Sequence, residues 1–591
     1  MGKINVAIDT YLVGIGVSPG ISIGEICLVS HRATVDECSI DAADVESEIE
    51  RFHWAVEQAS LQLREVKSSV SSQQHLREHL YILDTHLLIL EDKMLVQGTE
   101  DAIRQQLNAE GALKQVLGQL RQLFNNIEDE YLRERRSDVD AVGDRLMRIL
   151  TGEHDRSLND IGHKALVVAH DLSPADTMQM DRQKVLGFVT DRGGRTSHTA
   201  ILARSLEIPA VVGLENITTL VYDRLPAIID GSTGVVVLNP SEETFKEYLN
   251  RKQTYEYLEK ELLCYRDLPA ETCDQERVAL RSNLELTSEF PLADKHGAEG
   301  VGLYRTEFLY LGRTEPPGEE EQFAAYRQIL EEMQPNPVTI RTLDIGGDKF
   351  VPELNLADED NPAMGLRAIR FSLREVDLFK LQLRAILRAS VFGKARIMFP
   401  MISGVAEIRT CKRILAEVQR QLTEEGISFD PEVQIGIMVE TPSAVFIAPF
   451  LAKEVDFFSI GTNDLIQYCL AVDRGNEHIA YLYDPLHPAI LRAIKAVCEA
   501  AKAEGISVSM CGEMAGEPLY LLVLLGLGLT ELSMNPACVP RVKRVLRQVT
   551  RREGETLVEQ LFALPTGKEI ALYLDKEMRG RLPDVFGDGL I

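Results

Sequence analysis

The sequence predicts a multidomain α/β protein: a split α/β domain interrupted by a helical bundle, then a (β/α)8 barrel, the TIM-barrel fold. Three observations predict it. Strand-like segments near the start stop at about residue 32 and resume only after Gly152, with helix-period stripes between. From about residue 273 onward, eight apolar β-rich segments alternate with helical stretches. Several of those segments end in charged or polar residues, and the C-terminal strand ends of such a barrel converge on one mouth.

Residues 1–32 contain VGIGVSPGISIGEICLVS, rich in glycine and β-branched residues. Over 41–152 the pattern is helical. Val45, Ile49, Phe52 and Val56 share one face, and Leu76, Leu80, Leu83, Leu87 and Leu90 form a second stripe. Val116, Leu120, Leu123 and Ile127 give a third, and His86 falls in the leucine stripe as a structural residue. The strand signal returns in KALVVAHDL, KVLGFVTD, AVVG and PAIIDGSTGVVVLNP, so 1–32 and 155–240 are expected to form one domain around the insert. Residues 241–272 are expected to be a helical linker, since 241–268 are charged and hold no Pro or Gly. Residues 273–583 are expected to hold the barrel.

The stretch Gly193–Gly213, GGRTSHTAILARSLEIPAVVG, carries the first chemistry. Gly193 and Gly194 let backbone N–H groups approach a bulky anion. Thr196, Ser197, Thr199 and the helix start add donors where negative charge would sit. A neutral imidazole between them is a competent nucleophile, so His198 is the expected phosphoryl acceptor. The bland alternative is a histidine that caps a helix or is satisfied in a core.

The second chemistry lies at the expected barrel mouth. Asn283, Arg305, Arg341, Glu440, Asn463, Asp464 and Cys511 fall at or just after strand ends. Arg305, Arg341, Arg367 and Arg474 are candidate clamps, because the guanidinium fork suits carboxylate and phosphate together. Glu440 and Asp464 on adjacent strands could share one Mg²⁺, or could be ion-pair partners of those arginines.

Composition narrows the classes. A net charge of −28 argues against nucleic acid and is compatible with a basic protein partner. The nine cysteines are scattered and form no C-x-x-C, which points to reduced thiols without a disulfide framework or zinc site. No apolar run reaches the ~20 residues of a membrane span, and no signal peptide is read, so a cytoplasmic location without membrane is expected.

The histidine stretch closely resembles the phosphohistidine signature of the PEP-utilising enzymes. GLYRTEFLYL, IRTLDIGGDK, NPAMGLRAIR, VETPSA, SIGTNDLIQY, AVDRGN and MCGEMAGE extend the resemblance over nearly the whole chain. They resemble the phosphoenolpyruvate–protein phosphotransferases, Enzyme I of the sugar phosphotransferase system. The resemblance implies a swivelling phosphohistidine domain and a helical insert that docks the small carrier protein HPr. It also implies a homodimer formed through the barrel. By it Arg305, Arg341 and Arg474 bind phosphoenolpyruvate (PEP), with Arg367 a further candidate, and Asn463 and Asp464 also touch the substrate. Glu440 and Asp464 would hold magnesium, and Cys511 would protonate the pyruvate enol. Dikinases and synthases of the same kind need a nucleotide-binding domain with its own phosphate loop, and no G-x-x-x-x-G-K-[ST] run is present. The nitrogen-related regulatory branch and a non-catalytic regulatory homologue stand as alternatives. Arg192 stands before Gly193 where a small residue is expected, and the tail from Gly580 has no assigned role.

Overall fold

The computed structural model describes residues 8–29, 38–70, 80–125, 130–152, 163–170, 172, 184–194, 200, 203, 207–310, 316–345, 361–473 and 479–586. They divide into two compact units, Met1–Glu259 and Lys260–Ile591.

The first unit contains a sheet of eight strands. These are β1 (Thr10–Val13), β2 (Ile15–Ser18), β3 (Ile21–Leu28), β4 (Ala165–Ala169), β5 (Val185–Thr190), β6 (Ala210–Val212), β7 (Pro226–Asp230) and β8 (Val235–Leu238). Their order is β1-β8-β7-β3-β4-β5-β6-β2. Strands β3 to β6 run parallel, while β1, β2, β7 and β8 join by antiparallel pairing. Segments more than a hundred residues apart in sequence therefore share one sheet. Alternate residues serve its two faces, as the period of two requires. Cys27, Val167, Phe188 and Ala210 pack on one side, with Ile26, Leu166, Val168, Val189 and Val211 on the other.

Between β3 and β4 the described residues form five helices: α1 (Val45–Val70), α2 (Leu80–Leu90), α3 (Lys93–Arg104), α4 (Ala109–Asn125) and α5 (Glu130–Thr151). Ile49, Phe52, Leu83, Leu90 and Val116 are buried in their common core, and Val45, Val56, Leu87 and Leu120 pack against it. Leu76, Ile127 and the side chains of Leu80 and Leu123 lie outside the described residues. His86 is buried in α2. Arg51 of α1 ties the bundle together, pairing with Glu48 at 2.7 Å and Glu110 at 2.6 Å and donating to Leu150 O at 3.0 Å.

The stretch 241–272 is helical only over Glu242–Leu263. Beyond it, the backbone is held to the second unit. Lys543 donates to Arg266 O at 2.9 Å, Arg547 to Pro269 O at 2.7 Å, and Cys273 N to Val549 O at 2.9 Å. Such anchors compete with helix continuation before Pro269 does.

The second unit is a closed barrel of eight parallel strands. They are β9 (Ala279–Leu284), β10 (Val301–Arg305), β11 (Pro337–Arg341), β12 (Lys394–Phe399), β13 (Gln434–Val439), β14 (Phe457–Ile460), β15 (Ser507–Met510) and β16 (Glu531–Met534), with β16 closing on β9. Helices follow the strands and cover them, which explains near-continuous apolar runs. Leu303, Met398, Met438, Phe457 and Cys511 form a small interior cluster. Gly436 makes room for it, since a Cβ there would lie 2.3 Å from the Phe457 ring. All nine cysteines are free. Among the described residues no helix is long and apolar enough to cross a membrane.

Candidate active site

The C-terminal ends of the barrel strands gather most of the predicted residues. Arg305 is the last residue of β10 and Arg341 the last of β11. Glu440 follows β13 directly, because Thr441 caps a new helix whose first residue is Pro442. Asn463 and Asp464 do not end a strand; they sit in the first turn of the helix Thr462–Leu470, after β14. An acidic residue is favourable there. Arg367 precedes the helix Ala368–Arg374, and Cys511 follows β15. Asn283 lies within β9 rather than beyond it, and it braces the mouth. Its Nδ2 donates to Cys511 O at 2.9 Å, and its Oδ1 accepts from Ser533 at 2.6 Å.

The charges form a buried network. Arg341 pairs with Glu307 at 2.5 Å and Asp344 at 2.8 Å. Arg367 pairs with Asp344 at 3.1 Å and Asp464 at 3.2 Å, and donates to Tyr468 Oη at 3.2 Å. Arg305 reaches Glu285 at 2.5 Å. Burial alone would lower the pKa of Arg341 and Arg367. Asp344, with Glu307 for Arg341 and Asp464 for Arg367, outweighs it and holds both firmly charged. Each still has a buried Nε with no partner among the described residues.

Glu440 is buried, and its Oε1 accepts from Met401 N at 2.5 Å. Burial first, then the charges of Asp464 and Asp344, pushes its carboxyl up to about 8. The repulsion that Asp464 and Asp344 exert on Glu440 is of the kind a divalent cation relieves. Carboxylate oxygens are the donor type a hard metal takes, although among the described residues no group of three or more metal-ligating side chains has formed. Cys511 is buried, accepts from Ser459 Oγ at 3.3 Å, and is kept a thiol chiefly by burial. Asn463 Oδ1 accepts from Glu513 N at 3.2 Å, which fixes its amide.

Asp344, Glu307 and Ser459 complete this site and were not singled out in the sequence. The two acids stand inside the quoted runs IRTLDIGGDK and GLYRTEFLYL, three and two residues past Arg341 and Arg305. That spacing was the available signal.

His198 and Arg474 lie outside the described residues. The start of the histidine stretch is described as far as Gly194. There Asp191 is buried, bonded to His170 Nδ1 at 2.8 Å and to Thr218 N at 3.1 Å. Burial would raise its pKa, but the bonds from His170 and Thr218 together hold it below the ordinary range. Arg192 N donates to His170 O at 3.1 Å.

The barrel mouth, with arginines and acids interleaved beside a buried thiol, suits a small polyanion. Comparison with known proteins agrees with that class. Three patterns of the PEP-utilising enzymes match: the N-terminal domain over residues 13–135, the mobile domain over 161–234, and the PEP-binding domain over 259–551. The phosphoenolpyruvate-protein phosphotransferase of Staphylococcus carnosus (strain TM300) is 43% identical over 559 residues, covering 94% of this chain and 97% of that protein. That of Haemophilus influenzae (strain ATCC 51907 / DSM 11121 / KW20 / Rd) is 44% identical with the same coverage. A solution structure of an Enzyme I protein is 39% identical, covers 42% of this chain and 99% of that one, and has a TM-score of 0.35. The chain belongs to the phosphoenolpyruvate-protein phosphotransferase family.

Proposed function

We propose that the chain takes the phosphoryl group of PEP onto His198 and passes it to a histidine of an HPr-type carrier protein, releasing pyruvate. The observation that carries this reading is the interleaved network of Arg341, Arg367, Asp344 and Asp464 at a barrel mouth beside Cys511. Arg305, Arg341, Arg367 and Arg474 hold the carboxylate and phosphate of PEP, each guanidinium offering a planar fork. Arg341 and Arg367 are held by Asp344, which pairs with both, and Arg341 also by Glu307. Asn463 adds a neutral contact to substrate oxygen, since its own Oδ1 is held by Glu513 N.

Glu440 and Asp464 are the residues that would hold Mg²⁺, which when bound offsets charge on the phosphoryl oxygens. His198 attacks phosphorus in line. The P–N bond forms as the bond to the enol oxygen breaks, and the electron pair leaves with enolpyruvate. The methylene carbon of the enol takes the Cys511 proton and pyruvate results. A thiol kept protonated by burial is suited to that step. His198 then presents its phosphoryl group to the carrier, docked on the helical insert. A homodimer through the barrel and a cytoplasmic location belong to the same reading.

The test follows labelled phosphate from PEP. Mass mapping should find it on His198. His198→Ala should abolish uptake while PEP binding at the barrel persists, because arginines and acids are untouched. Label on another residue of the wild-type chain would overturn the assignment. Uptake should stop in EDTA and return with Mg²⁺ or Mn²⁺; full activity in chelator would leave Glu440 and Asp464 as ion-pair partners alone.

A further inference from the structure

Far from the mouth, the N-terminal end of the barrel encloses a second charged cluster. Arg281 is the third residue of β9, Arg396 the third of β12, and Glu531 the first of β16. Glu531 spends both oxygens on the arginines: Oε1 lies 3.2 Å from Arg281 Nη2, and Oε2 lies 3.1 Å from Arg396 Nη1. Arg396 also donates to Ser507 Oγ at 3.3 Å and stacks 3.9 Å from the centre of the Phe457 ring. Both arginines are buried, at 8% and 6% exposure.

The charges do not balance. Two guanidiniums face one carboxylate; Glu299 also acts on Arg281, but it is itself paired with Arg277 at 3.0 Å, so the enlarged group keeps the same excess. One positive charge is left over. Three guanidinium nitrogens are also buried with no hydrogen-bond partner among the described residues: Arg281 Nε, Arg281 Nη1 and Arg396 Nε. An isolated buried charge with unmet donors is far more costly than a paired one. Burial pushes Arg281 down to about 10, so near neutral pH it stays protonated and the excess charge persists. Glu531 has no oxygen left to answer it.

We propose that this end of the barrel binds a small monovalent anion, chloride in ordinary buffers, on the free N–H groups of Arg281 and Arg396. One such ion brings the cluster to zero net charge and accepts from donors that are otherwise unmet. A dianion would reverse the imbalance. The site is separate from the PEP-binding mouth and does not rest on the proposed function.

The experiment is thermal unfolding of the full chain in sodium chloride and in sodium gluconate at equal ionic strength. Gluconate is too large for a buried site. Chloride should raise the melting temperature of the barrel transition progressively with concentration, by about 3 °C or more at saturation. In Arg281→Met that chloride-specific rise should vanish while phosphoryl uptake from PEP stays as in the wild type. Equal melting in the two salts, or the same rise in the variant, overturns the proposal. Should the variant not fold, wild-type crystals grown with sodium bromide decide it. An anomalous peak within hydrogen-bonding distance of Arg281 supports the site, and water there refutes it.

Discussion

Glu440 is buried beside other acids at the mouth, and its pH behaviour follows from that. Its carboxyl rises from the ordinary 4.5 to about 8 through burial, Asp464 and Asp344. The folded chain thus binds this proton more tightly than the unfolded one. The resulting contribution to metal-free stability is complete below pH 4.5 and is lost as pH climbs toward 8. Glu440→Gln, which mimics the protonated form, should match the wild type near pH 4 and melt progressively higher than it toward pH 8. Thermal melts in EDTA across that range check the slope, and Mg²⁺ should flatten it by favouring the ionised carboxylate. Asp344 works differently, through the two arginines it grips at 2.8 and 3.1 Å. Asp344→Asn should lower PEP-dependent phosphorylation about 100-fold by releasing both guanidiniums from their aim. Exchange with phosphorylated carrier should be unchanged, a split that single-turnover labelling reads directly.

Among the elements, two helices approach closely enough to touch backbones. In Leu521–Leu527, a Cβ on Gly526 would lie 2.0 Å from Gly554 O; in Arg551–Leu561, one on Gly554 would lie 2.6 Å from Leu522 O. Gly526→Ala should destabilise the barrel by about 3 kcal/mol, since the obstacle is backbone that cannot rotate away. Denaturant unfolding measures it, and residual PEP uptake should be normal in whatever remains folded. The eight barrel strands were legible because helix-covered parallel strands must be apolar on both sides, so a charge at a run's end stands out. Arg305, Arg341 and Glu440 announced themselves in that way. Asp344 and Glu307 did not, because a carboxylate that neutralises an arginine across a loop leaves no periodic trace. The helix end at Leu263 was equally hidden: no Pro or Gly stands before Pro269, while the carbonyls of Arg266 and Pro269 are held by Lys543 and Arg547, distant in sequence. Gly526 sits inside LLVLLGLG, where sequence reads a helix breaker and the fold uses a close crossing.

At the scale of the whole molecule, the boundary between the two compact units falls within one helix, Glu242–Leu263, so the chain can be cut there and leave each core intact. We place the cut near residue 255. The N-terminal fragment keeps the eight-stranded sheet and the helical bundle, each with its own core, and should fold alone. It also keeps His198, and so should exchange phosphoryl groups reversibly with phosphorylated carrier. From PEP at ordinary concentrations it should take nothing, because the arginine network belongs to the barrel and the tether that raises effective concentration is gone. The barrel fragment retains its closed sheet and should bind PEP without transferring its phosphate. Labelled phosphate supplied from PEP and, separately, from phosphorylated carrier distinguishes the outcomes. Uptake from PEP by the N-terminal fragment alone would put the donor site beside His198. The barrel mouth would then be a binding site without a part in the transfer.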